Sequence, residues 1–239
     1  MAFLDDKIQE QVRDALAGLQ HDVQMIVYKG GQLVVPGQEA PGEQDATVQL
    51  LREVAELNEH VEVVERTIAG DEEARALGIS RAPTTLFRRK GTERSNIRFA
   101  GIPSGYEFTT LLEALLMLGT DELELTPTLE SVKEIDDAIN LQTFVTPTCP
   151  YCPRAVLTAF RFALVNDHIV AEGVEANEFP ELSQRNRISG VPDTIVTGAN
   201  ATRVLGAQPE HAFAEALLQV SARAGADSGD RAGGAAAHA

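Results

Sequence analysis

One order of elements runs twice along this 239-residue chain, and that duplication constrains the fold more than any single motif does. In the first run, residues 5–19 place Ile8, Val12, Ala15, Leu16 and Leu19 on one helical face. Residues 23–28 form a short apolar strand stopped by Gly30-Gly31. A Gly- and Pro-rich stretch up to Gly42 reads as a loop, and residues 46–57 resume a helical pattern through Val48, Leu51, Val54 and Ala55. A strand at 61–68 and a short helix at 71–77 come next. A strand at 84–88, directly after Ala82-Pro83, then pairs with a hairpin partner at 96–99, and an apolar helix at 105–118 closes the run.

The second run predicts a helix at 129–139, a strand at 141–145, a loop and helix over 149–166, a strand at 168–174 and a short helix at 179–187. A strand at 194–196, just after Val191-Pro192, and a partner at 202–205 lead into a terminal helix at 209–222. Gly101 precedes Phe108 by seven residues and Gly206 precedes Phe213 by seven, so the same corner is built twice. The junction falls near 119–124, which divides the chain into units 1–122 and 123–224. From Ala224 the sequence AGADSGDRAGGAAAHA has no periodic large apolar residue, so 225–239 is expected to be a disordered tail in which His238 has no role.

A net charge of −16 argues against nucleic acid or an anionic membrane as a partner, because such binding needs a basic face. No apolar stretch is long enough to span a bilayer, and the acidic opening MAFLDDKIQE is unlike a signal peptide, so a cytoplasmic protein is expected. The chain has no G-x-G-x-x-G fingerprint; flavin and nicotinamide would belong to a partner, and no bound cofactor is expected.

The chemistry concentrates in its only two cysteines, Cys149 and Cys152, which sit three positions apart. That spacing does not suit a secreted scaffold stapling distant segments. A strand ending near Val145 and a helix starting at or just after Cys149 would put the sulfur beside unpaired N–H groups and the positive end of the helix dipole, favouring thiolate. Cys149 would be the exposed attacking sulfur and Cys152, one turn later, would point inward and resolve the mixed disulfide. Pro150 suits the turn and helix start. Structural zinc is the competing reading, but four ligands are needed and the pair has only His168 nearby in sequence. An iron–sulfur cluster shared with an external thiol is a further alternative.

The run Thr146-Pro147-Thr148-Cys149-Pro150-Tyr151-Cys152-Pro153, with Gly190-Val191-Pro192 and the segment from Phe99 to Phe108, resembles the two-thioredoxin-fold protein disulfide oxidoreductases, often labelled glutaredoxin-like. It is equally similar to the N-terminal region of the alkyl hydroperoxide reductase flavoprotein subunit. The resemblance covers residues 4–223 and implies an α/β protein of two tandem thioredoxin-like folds, each a mixed central sheet flanked by helices.

It further implies Cys149 as nucleophile, Cys152 as resolving thiol, a cis Pro192 shaping the platform, and the Val191 backbone pairing with an extended partner segment. Tyr151 would touch the partner without taking a catalytic step. The first half lacks cysteine after Tyr28 and should be redox-silent, although Ala82-Pro83 keeps the proline. Thr143 stands where thioredoxin has a buried aspartate, and Glu175 is the candidate proton relay, with a surface carboxylate at a strand end as the plainer reading. The implied function is dithiol reduction of protein disulfides, with electrons drawn from a thioredoxin-reductase-like flavoprotein and passed in one version to a peroxiredoxin. A glutathione-dependent glutaredoxin and a non-catalytic binding module are the alternatives.

Overall fold

In the computed structural model, residues 3–31 and 42–221 are described. The expected loop at 32–41 and the expected tail at 225–239, His238 included, lie outside them. The first half runs α1 (Asp6–Leu16), β1 (Val23–Lys29), α2 (Glu43–Ala55), β2 (Val61–Thr67), α3 (Glu72–Ala76), β3 (Thr84–Arg89), β4 (Ile97–Ala100) and α4 (Glu107–Gly119). The second runs α5 (Pro127–Ser131), β5 (Ile139–Val145), α6 (Cys152–Val165), β6 (Ile169–Glu175), α7 (Pro180–Arg185), β7 (Asp193–Thr197), β8 (Ala201–Leu205) and α8 (Glu210–Val220).

The strands form a single eight-stranded sheet in the order β2-β1-β3-β4-β6-β5-β7-β8. Each half repeats one pairing scheme: a parallel pair (β1 with β2, β5 with β6), then two antiparallel steps out to the hairpin. The halves meet where β4 runs parallel to β6, with Ile97 opposite Ala171, Arg98 opposite Glu172, Phe99 opposite Gly173 and Ala100 opposite Val174. Side chains alternate between faces, as the pleat requires. Met25, Val27, Leu141 and Val145 therefore join the large core that α1, α2, α4, α5, α6 and α8 cover, while Ile26 and Tyr28 turn to α3, and Phe144 and Val174 to α7.

Two helices are shorter than their apolar spacing predicts. Asp5 caps α1 through its side chain, but the helix stops at Leu16, and Leu19 reaches the core by a turn in which its N–H donates to the Leu16 carbonyl at 3.1 Å. The expected helix at 129–139 is a five-residue α5 capped by Thr126 with Pro127 in its first turn, and Ile139 already belongs to β5. Val132 and Ile135 are buried as the pattern requires, yet their carbonyls accept from Asn166 Nδ2, both at 2.8 Å. Those acceptors are satisfied from outside, so the chain meets its hydrogen-bonding needs there without continuing the helix.

The seam between the halves is packed to contact. A Cβ added to Gly173 would lie 2.5 Å from Phe99 Cδ2 on the paired strand, and Phe99 is fully buried. Gly173→Ala is expected to lose about 1–3 kcal/mol of stability by overpacking, read from urea unfolding; an unchanged midpoint would show that the ring moves aside freely.

Candidate active site

After β5 ends at Val145, the chain makes a turn in which the Cys149 N–H donates to the Thr146 carbonyl at 3.1 Å. The Cys152 N–H in turn donates to the Cys149 carbonyl at 3.4 Å. Helix α6 begins at Cys152, with Tyr151 as its cap and Pro153 in the first turn where a missing N–H is harmless. The helix thus starts three residues later than the earliest start expected. Cys149 stands in the preceding turn, and Pro150 shapes that turn rather than the helix.

Cys149 and Cys152 are joined in a disulfide with their Cα atoms 5.5 Å apart. Cys152 is fully buried and Cys149 is 8 % exposed, so the outer sulfur is much less open than expected, though it remains the more accessible of the two. Tyr151 is 69 % exposed between them.

The Val191–Pro192 peptide is cis, and the Val191 carbonyl oxygen lies 3.8 Å from Cys149 Sγ. On reduction, a Cys149 thiol could donate to that oxygen. The Pro192 carbonyl accepts from the Gly206 N–H at 2.9 Å. The first half repeats this corner: Ala82–Pro83 is also cis, and the Gly101 N–H donates to the Pro83 carbonyl at 2.9 Å. In that half the Gly30 N–H donates to Gln44 Oε1 at 2.8 Å, in the place where the second half carries its sulfurs. Among the described residues, no group of three His, Cys, Asp or Glu is placed to hold a metal ion.

The first half nevertheless reaches into the site. The Tyr106 N–H, at the start of α4, donates to the Pro147 carbonyl at 2.9 Å, two residues before Cys149. Gly105 makes this approach possible: its φ is +61°, and a Cβ there would sit 2.3 Å from that same carbonyl oxygen. Helices α4 and α6 pack against each other, and each follows one of a set of parallel strands, so both begin at the same end of the sheet.

Glu107 is fully buried. Its Oε2 accepts from Thr110 Oγ1 at 2.6 Å, and Oε1 has no hydrogen-bond partner among the described residues. Burial pushes this carboxyl up from 4.5 to about 7, only partly opposed by the Thr110 hydroxyl.

Sequence reasoning missed Glu107, because a Glu in the first turn of a helix reads as an ordinary exposed residue. Its only sequence signal was its place inside the Phe99-to-Phe108 segment. Glu175, the candidate relay whose plainer reading is a surface carboxylate, is buried. Its oxygens accept from the Glu178 N–H at 2.6 Å and Asn177 Nδ2 at 2.9 Å, which close the turn after β6. Thr143 is buried too, its hydroxyl 3.0 Å from that of Thr194 across the β5–β7 pair.

Two halves of one order, each with a cis-proline corner, and one C-x-x-C disulfide set against the second corner, make this a tandem thioredoxin-fold protein. Residues 139–219 match the thioredoxin domain family. The alkyl hydroperoxide reductase component AhpF of Staphylococcus epidermidis is 26% identical over 197 residues, 82% of this chain and 34% of that protein. The AhpF of Pseudomonas aeruginosa is 31% identical over 120 residues, 50% of this chain and 23% of that one. The chain therefore spans about a third or less of the length of these curated relatives.

Among solved structures, a protein disulfide oxidoreductase from Aeropyrum pernix superposes with a TM-score of 0.77 at 25% identity, covering 92% of this chain and 95% of that one. The AhpF of Enterococcus faecalis gives 0.78 at 24% identity, covering 90% and 99%, and shares the fold. The expected resemblance thus holds across both halves.

The raised Glu107 carboxyl has a consequence for stability. Between 4.5 and about 7 the folded chain keeps this proton and the unfolded chain releases it. The group's contribution is therefore complete below about 4.5 and is lost as pH rises through about 7. Glu107→Gln should accordingly gain on wild type as pH rises, by on the order of 3 kcal/mol between pH 4 and pH 8. Urea titrations at the two pH values measure this, and a gap independent of pH would contradict the assignment.

Proposed function

We propose that the chain is a protein-disulfide oxidoreductase that reduces disulfides with the Cys149/Cys152 dithiol. The observation carrying this reading is the disulfide at the entrance of α6, one sulfur fully buried and the other slightly exposed, against the cis Val191–Pro192 corner. Two sulfurs so placed can exchange a bond with a partner and then with each other.

The thiolate of reduced Cys149, favoured by the α6 N-terminus, attacks one sulfur of a partner disulfide. A mixed disulfide forms, and the partner's second sulfur leaves as a thiolate that takes up a proton. Cys152, having lost its proton, then attacks Cys149 Sγ, which breaks the mixed bond and expels the partner's first sulfur as a thiolate; on taking up a proton it completes the released dithiol. Two electrons have passed to the partner, and the chain is left with the Cys149–Cys152 disulfide.

The carboxylate that receives the Cys152 proton is Glu107 in this reading. It is buried at the head of α4, the helix packed against α6, and is pushed to about 7, where it can take a proton near neutral pH. Glu175 is the weaker choice because its oxygens already close a turn. Pro150 and Tyr151 border the sulfur, and Val191 with Pro192 offers the backbone edge against which an extended partner segment lies.

A thioredoxin-reductase-like flavoprotein returns the electrons and a peroxiredoxin receives them, a role supported by relatives named as components of alkyl hydroperoxide reductase. In this reading unit 123–224 carries the chemistry, unit 1–122 supports it, and the cytosol is the compartment, since a dithiol reductant must be kept reduced. None of the described helices is long and apolar enough to cross a membrane.

Prereduced wild type should reduce insulin disulfides stoichiometrically. Cys149→Ser should lose at least about 100-fold in rate, and Cys152→Ser should accumulate the mixed disulfide, seen as a mass adduct. Equal activity in Cys149→Ser would end this assignment.

A further inference from the structure

Six large apolar side chains are notably exposed among the described residues: Phe3, Tyr106, Leu125, Tyr151, Leu205 and Leu218. Three of them belong to the segments that build the sulfur site. Tyr151 lies inside the C-x-x-C turn. Leu205 is opposite Asp193 in the β7–β8 pair and directly precedes Gly206, whose N–H holds the Pro192 carbonyl. Tyr106 comes from the half without cysteines, and its own N–H fixes it to Pro147. The sulfur thus has an exposed apolar side chain on its own turn, one beside the cis-proline and one across the boundary with the first half.

Resting on the oxidoreductase reading, we propose that Tyr106 is a specificity-determining residue. It is part of the surface that receives the disulfide-bearing extended segment of an oxidised protein, so the redox-silent half helps select the substrate. The occupant is such a segment, with apolar side chains flanking its disulfide, for two reasons. The exposed side chains belong to segments tied to the sulfur turn: the Tyr106 N–H is bonded to Pro147, two residues before Cys149, and Cys149 Sγ lies 3.8 Å from the Val191 carbonyl. The set also draws on a different half of the chain, farther than a bare disulfide needs.

An exposed aromatic ring loses apolar contact with water when such a segment covers it, and tyrosines are common anchors of binding energy. Tyr106 is 51 % exposed, and its link to the active-site loop is through the backbone, so the side chain can be changed without removing the hydrogen bond that holds the loop.

The test uses the full chain, prereduced with dithiothreitol and freed of it, in single-turnover reactions with insulin and with the small disulfide 5,5′-dithiobis(2-nitrobenzoate). For Tyr106→Ala, the ratio of the insulin rate constant to that for the small disulfide should fall about five- to tenfold relative to wild type. Tyr106→Phe should restore the ratio, and Tyr106→Arg, the second variant in case the alanine protein folds poorly, should lower it as alanine does. A ratio within twofold of wild type in both Tyr106→Ala and Tyr106→Arg overturns the proposal, as does an equal loss on both substrates, which would mark a structural role. Wild type reacting with neither disulfide would instead overturn the oxidoreductase reading beneath it.

Discussion

The parallel pairing of β4 with β6 is the constraint on which the site depends. Four residue pairs join two four-stranded sheets into one, and in doing so they set α4 beside α6. Everything the first half contributes to the sulfur centre passes through that placement. Gly105 lets the backbone close on Pro147, the Tyr106 N–H secures the loop, and Glu107 is carried into a buried position at the head of α4. The seam is tight because Gly173 faces the Phe99 ring without a side chain of its own.

This arrangement divides labour between halves of common design. Both have the cis-proline corner braced by a glycine N–H, but only the second has sulfur against it. The position on β5 where thioredoxin has an aspartate is Thr143, paired hydroxyl to hydroxyl with Thr194. A buried carboxyl, Glu107, stands at the head of a helix from the other half, and loss of water holds it near neutrality.

Much of the fold was legible from periodicity. The order of elements, the repeated corner and the cysteine turn follow from apolar spacing, Gly and Pro punctuation and a single C-x-x-C. Legibility failed where a local pattern had a non-local rival. Val132 and Ile135 have helical spacing, but Asn166, about thirty residues on, takes their carbonyls and the chain leaves the helix. Sequence left the burial of Glu175 open between a relay and a strand-end surface carboxylate, and gave Glu107 the look of a first-turn helix residue, because burial is decided by what packs over a position and not by its neighbours in sequence.

By itself, the sequence determined that the chain is two α/β runs of one order, that only the second can do thiol chemistry, and that Cys149 and Cys152 form one local unit. These follow from short-range geometry: helix and strand periods, and a three-residue separation that lets two sulfurs meet. Only the tertiary structure decided that the two sheets fuse at β4 and β6, that Cys149 is nearly covered, and that the cysteine-free first half supplies both the Pro147 clamp and a buried carboxyl. Those features depend on contacts between residues some forty or more positions apart, whose desolvation and packing exist only once the chain has folded.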